Sequence, residues 1–125
     1  MISSKHFSSI FNGVAALVSC VCICFPMGAI ATVVTPAAAA TITQSYAYAS
    51  YGGGDFVFST SIGASGCENG WYIKATDPGY KAVVATVLTA QAGGNFVQVY
   101  GDNADIWSGS PSGHYCRVQT VGITS

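Results

Sequence analysis

Two groups of side chains in this sequence have types and spacing that could do chemistry. The first is Tyr46, Tyr48, Tyr51, Phe58 and Tyr72, with Ser59 and Ser61 close by in sequence. Aromatic faces meet the C–H surfaces of sugars while hydroxyls bond sugar hydroxyls, so the group reads as a stacking, hydroxyl-rich carbohydrate site. A small barrel also needs aromatics to fill it, and that reading stays open for each of them. The second group is Asp102 and Asn103 in the turn-rich Gly101–Asp105, read either as ligand-contacting loop residues or as an ordinary turn.

Other chemistries are excluded one by one. Asp102, Asn103 and Asp105 lack the central glycine and distal glutamate of an EF-hand loop. His6 and His114 are the two histidines, too few for a multi-histidine metal site. His114 and Cys116 would share a face of a strand, as in a Cys–His nucleophile, but a disulfide would consume that thiol. Gly52-Gly53-Gly54 leads into a strand, so a phosphate cradle would lack its helix. Nucleophile, base and orienter never occur together, and the expectation is a non-enzymatic protein without metal or cofactor.

Residues 1–40 read as a cleaved secretory signal: Lys5 in a short polar start, an apolar run through Val14–Phe25, and Pro36-Ala37-Ala38-Ala39-Ala40 before Thr41. An uncleaved anchor is a weaker fit because Phe25-Pro26-Met27-Gly28 interrupts the run. Lipidation at Cys20 is weaker too, since no polar tether follows. Removing this segment discards Cys20, Cys22 and Cys24, leaving Cys67 and Cys116 as the pair for one disulfide in a secreted or periplasmic protein.

From Thr41 onward Asp55, Glu68, Asp77, Asp102 and Asp105 face Lys74, Lys81 and Arg117. With no basic stripe, nucleic acid is not an expected partner. Residues 41–125 are long enough for one domain.

The elements that must position these residues follow from period and punctuation. Alternation predicts strands over Ile42–Tyr51 and Asp55–Ile62, then Trp71–Ala75, Phe96–Tyr100 and Tyr115–Thr124, with Ile106–Trp107 as a short edge. A helix is predicted over Pro78–Ala92, capped by Asp77 and ended by Gly93-Gly94. Its inward stripe is read as Val84, Val87, Leu88 and Gln91, opposite an uncharged side. Self-association through that side is the preferred explanation, against burial under the protein's own sheet or a merely uncharged exposed helix. The order is strand, strand, strand, helix, strand, strand: an all-β class with one helix, OB-fold-like, β-β-β-α-β-β.

Asp77-Pro78-Gly79-Tyr80-Lys81, the Gly93-Gly94 stop, Phe96–Tyr100, Ile106-Trp107 and Tyr115-Cys116 together resemble the binding subunits of subtilase-cytotoxin-type pentameric toxins and their exported relatives. The resemblance spans roughly residues 67–123. It implies an OB-fold protomer, a homo-oligomeric ring of five with helices 78–92 around a pore, recognition of sialylated or related host-cell glycans, and a separate catalytic subunit as partner. It transfers no sugar-binding residue, because Thr41–Gly66 does not align. The alternative function is an exported envelope structural or interaction protein of the same fold without lectin activity.

Overall fold

In the computed structural model, which describes residues 32–125, the alternating stretches become six strands in one sheet. They are β1 (Val33–Val34), β2 (Ala40–Ala47), β3 (Phe56–Thr60), β4 (Gly70–Ile73), β5 (Phe96–Ile106) and β6 (Tyr115–Thr124). The order β5-β2-β3-β4-β6, with β6 returning to β5, closes five strands into a barrel. Among the described residues, only β4 and β6 pair in parallel. Helix α1 (Tyr80–Gly93) lies between the third and fourth barrel strands, so the protein is all-β with one helix and OB-like, as its element order predicts.

Alternation places Phe56 and Phe58, Trp71 and Ile73, Val97 and Val99, and Cys116 and Val118 inside, where Val87 and Ala90 of α1 close the core. Burying each large apolar side chain stabilises the fold by roughly 1.5–3 kcal/mol. Cys67 and Cys116 form the disulfide, with Cα atoms 5.4 Å apart, joining the turn before β4 to the start of β6.

Several boundaries differ from the sequence reading. β2 stops at Ala47, and Tyr51–Gly53 forms a 3-10 turn because Gly52, Gly53 and Gly54 take φ of 62°, 81° and 106°. β5 runs to Ile106, so Asp102 and Asn103 lie on a strand and not in a loop. Pairing of Asp102 with Val33 on one side and Arg117 on the other overrides the local turn propensity. Gly101 is needed there for another reason: a Cβ would lie 2.5 Å from the Trp71 ring.

Helix α1 begins at Tyr80, and Asp77 does not cap it with its side chain. Its backbone carbonyl accepts the Tyr80 N–H at 3.0 Å, while its carboxylate turns to the Lys74 N–H and to Arg117. The charge on Arg117 outcompetes the neutral amides of the first turn. At the other end Gly94, at φ 64°, donates to the carbonyls of Ala90 and Gln91. Val83, Val84, Val87, Ala90 and Gln91 face the barrel, with Gln91 accepting from Ser45 of β2 at 2.7 Å. Leu88 does not join that stripe; it is 46% exposed, beside exposed Ala85, Thr89 and Ala92.

The folded region also takes in residues ahead of Thr41. β1 lies along β5, and Ala40 is wholly buried opposite Val97.

Candidate functional site

Strand register builds the site on the outer face of the barrel. Tyr46 of β2 stands opposite Val57 of β3, Val57 opposite Tyr72 of β4, and Tyr72 opposite Arg117 of β6. This row points away from the main core and would be open to water if Trp107 did not fold over it. Val57, Tyr72 and Trp107 form a second, smaller core against which Tyr48 and Tyr115 pack.

Trp107 is fixed from several directions. Its indole N–H donates to Oδ2 of Asp55 at 3.0 Å, and its backbone N–H donates to the Tyr115 carbonyl at 2.8 Å. Gly109 closes against the ring, where a Cβ would come within 2.2 Å of Cζ2. Asp55 is 4% exposed, and its other oxygen accepts from the Ala75 N–H at 3.3 Å. Gly52 passes so close that a Cβ would meet the carboxylate at 2.0 Å. The Tyr80 hydroxyl, donating to the Gly54 carbonyl at 2.8 Å, secures the same turn to the helix.

On this foundation the tyrosines form a strip. Ring centroids of Tyr48 and Tyr51 lie 5.0 and 5.5 Å from that of Trp107, and Tyr48 is 6.4 Å from both Tyr46 and Tyr51. Tyr46 is 51% and Tyr51 45% exposed, so the strip offers accessible ring faces and hydroxyls over a rigid base. The Tyr46 hydroxyl donates to Oε1 of Gln44 at 3.3 Å, which adds an amide at the strip's end.

Beside it runs a charged network. The Tyr72 hydroxyl donates to Asp105, which also accepts from Nη1 of Arg117 at 3.2 Å and pairs with Lys74 at 3.6 Å. Arg117 in turn donates through Nε to Asp77 at 3.3 Å and makes a second bond to the same carboxylate. Burial, then the hydrogen bond to Asp105, pushes the Tyr72 phenol far above its ordinary range. For Asp105 burial acts to raise the carboxyl, but bonds from Tyr72 and Arg117 outweigh it and hold it below its ordinary value. Asp77 and then Asp105 hold Arg117 firmly charged, against the opposing effect of burial.

Of the residues expected at a site, the structure brings Tyr46 and Tyr48 together at the surface. Tyr72 lies beneath them, only 1% exposed, and cannot touch a ligand; it anchors Asp105. Ser59 is buried, donating to the Asn69 carbonyl at 2.6 Å and accepting from Gln44, and so ties β3 to the segment before β4. Ser61 accepts from the Thr41 N–H at 3.1 Å, at the opposite end of the β2–β3 pair from the strip. Phe58 belongs to the main core. Asp102 accepts from the Ala104 N–H at 2.8 Å, and Asn103 lies against Gly66 and donates its backbone N–H to Thr32. Both therefore sit with β1 and the disulfide turn rather than with the tyrosines.

Trp107 and Asp55 are the positioning residues that sequence reading missed. A tryptophan followed at two residues by glycine, in an otherwise polar loop, is the local signal for the first. For the second the signal is an acid directly after three glycines.

An OB-like barrel carrying an exposed tyrosine strip on its outer wall is the class of protein that fold and site define. Compared with known protein families, with curated proteins and with solved structures, the chain gives no match.

Proposed function

We propose that the protein is an exported, non-catalytic binding module that recognises glycans through the strip Tyr46–Tyr48–Tyr51. The observation that carries this reading is the pairing of exposed tyrosine faces with a buried, hydrogen-bonded backing: Trp107 held to buried Asp55. Sugars are bound by stacking their C–H faces on rings while hydroxyls and amides bond the periphery. Preorganised rings lose little conformational freedom on binding. The resemblance of residues 67–123 to pentameric toxin binding subunits supports the same ligand class, sialylated or related glycans, and a catalytic subunit as partner. The outer side of α1, which carries no charge beyond Lys81 in its first turn, supports assembly of several copies through the helix.

A glycan array probed with the wild type and with Tyr51→Ala tests it. Saturable binding that falls at least tenfold in the variant is expected. An array silent to the folded wild type would overturn the reading. It would favour instead an exported envelope interaction protein, for which exposed Leu88, Phe96, Tyr100 and Ile123 already speak.

A further inference from the structure

We propose that the leader is removed by hydrolysis of the Ala31–Thr32 peptide bond, so that the exported protein begins Thr32-Val33-Val34 and residues 32–40 are the first part of the barrel. The inference rests on the reading that the chain is exported. It moves the processing site away from Ala40, where the alanine run alone would put it.

The first ground is register. Val33 and Val34 pair with Asp102 and Gly101, and Ala40 and Thr41 pair with Val97 and Phe96, all antiparallel and all along β5. Between Val34 and Ala40 one chain advances six residues while β5 advances four, from Gly101 back to Val97. β1 and β2 thus lie along the same edge of β5, joined by a bend over residues 35–39, and a cut after Ala40 would fall at the first residue of β2 and part it from β1.

The second ground is what residues 32–40 do. The Asn103 N–H donates to the Thr32 carbonyl at 3.3 Å, and the Gln98 amide donates to the Thr35 hydroxyl. Pro36 is buried, and Ala40 is wholly so. Removing them would strip the β5 edge at Gly101–Asp102 and leave unpaired backbone groups that invite aggregation.

The third ground is the leader itself. Ala29-Ile30-Ala31 places small residues at the third and first positions before the bond, as a leader peptidase requires. Pro26 and Gly28 then fall between the apolar run Val14–Phe25 and the cut, so the interruption in the run becomes the short helix-breaking end of the leader. The resulting length of 31 is close to the usual range of about 15–30, which 40 exceeds. Ala38-Ala39-Ala40 meets the small-residue rule equally well, and the fold is what chooses between them. Water is the second substrate: as the C–N bond breaks, its hydroxyl completes the Ala31 carboxyl and its other proton goes to the Thr32 nitrogen, which becomes a free amino group.

The test is to express the full chain in a bacterium with a leader-dependent export pathway and determine the N-terminus of the exported product by sequencing and intact mass. Thr32-Val33-Val34-Thr35 is expected, with Ala31→Leu preventing its release and Ala38→Leu, at an exposed position, leaving it unchanged. A Thr41 terminus that Ala38→Leu blocks would overturn the proposed site while leaving export intact. A wild-type product that keeps Met1 would overturn both.

Discussion

The indole N–H of Trp107 and the carboxylate of Asp55, 52 residues apart, meet at 3.0 Å, and this bond fixes the tyrosine strip to the barrel. Asp55→Ala would leave the Trp107 and Ala75 N–H groups without their acceptor. An orphaned buried donor costs about 1–3 kcal/mol, so urea unfolding should show a loss of about 2–4 kcal/mol. Asp55→Asn keeps one acceptor oxygen but turns an amide donor toward the other N–H, and should lose about half as much. Trp107 is one of two tryptophans, and its emission should shift to the red as the ring loosens. An unchanged urea midpoint in Asp55→Ala would show that the bond does not organise this face.

Asp105 predicts the acid side of the stability profile. Its folded carboxyl titrates below the unfolded value of about 3.9, so its contribution is complete above that pH and is lost as pH falls through the folded value. Urea midpoints measured from pH 6 downward should fall less steeply in Asp105→Asn than in the wild type. That variant should also be weaker at neutral pH, because Arg117 and Lys74 lose a charged partner.

The alkaline side belongs to Tyr72. A phenol whose folded value is raised gives stability that is complete below the unfolded value of about 10 and is lost as pH rises toward the folded value. Phenolate absorbance should show a phenol that resists ionisation until the protein unfolds. Tyr72→Phe should remove that resistant group; a resistant group that survives in Tyr72→Phe would contradict the assignment.

Reducing the Cys67–Cys116 bridge, or replacing both cysteines by serine, should cost about 4 kcal/mol in the chain-entropy account of a 49-residue separation. Calorimetry of the oxidised protein and the double-serine variant reads this directly. For a domain of this size, the change is a large part of the 5–15 kcal/mol or so that proteins of ordinary stability possess.

Assembly through α1 predicts that Ala85→Glu, on the exposed side of the helix, converts an oligomer into a monomer while changing protomer stability by no more than about 0.5 kcal/mol. Light scattering separates these outcomes. A wild type that is monomeric at high concentration would remove the helix as a contact.

Much of the barrel was legible because period-two alternation is strong at Phe56–Phe58 and Trp71–Ile73, and the Tyr115–Thr124 strand coincides with β6. The Gly93-Gly94 stop was legible for the same kind of local reason. What escaped was decided by partners distant in sequence. Asp102 and Asn103 look like a turn until β1 and β6 flank them, and Asp77 looks like a cap until Arg117 claims its carboxylate. The site was half visible: Tyr46 and Tyr48 announce themselves by spacing, but Trp107 joins them only because a loop folds across the sheet. Ser59, chosen for its hydroxyl, is spent on the Asn69 carbonyl, as small buried polar groups usually are, and the exposed Ser61 accepts from the Thr41 N–H.

The parallel pairing of β4 with β6 gives the order in which this protein can become itself. Unlike the β2–β3 pair, which can zip up from the turn between them, that seam has no turn to start from and waits on the chance meeting of distant segments. The cystine sits at the mouth of the seam, with Cys116 itself opposite Trp71. A chain already oxidised carries the long loop closed before any strand forms, whereas a reduced chain must close it during the search. Thiol oxidation therefore acts as a clock for the barrel: until it strikes, the seam is slow to shut.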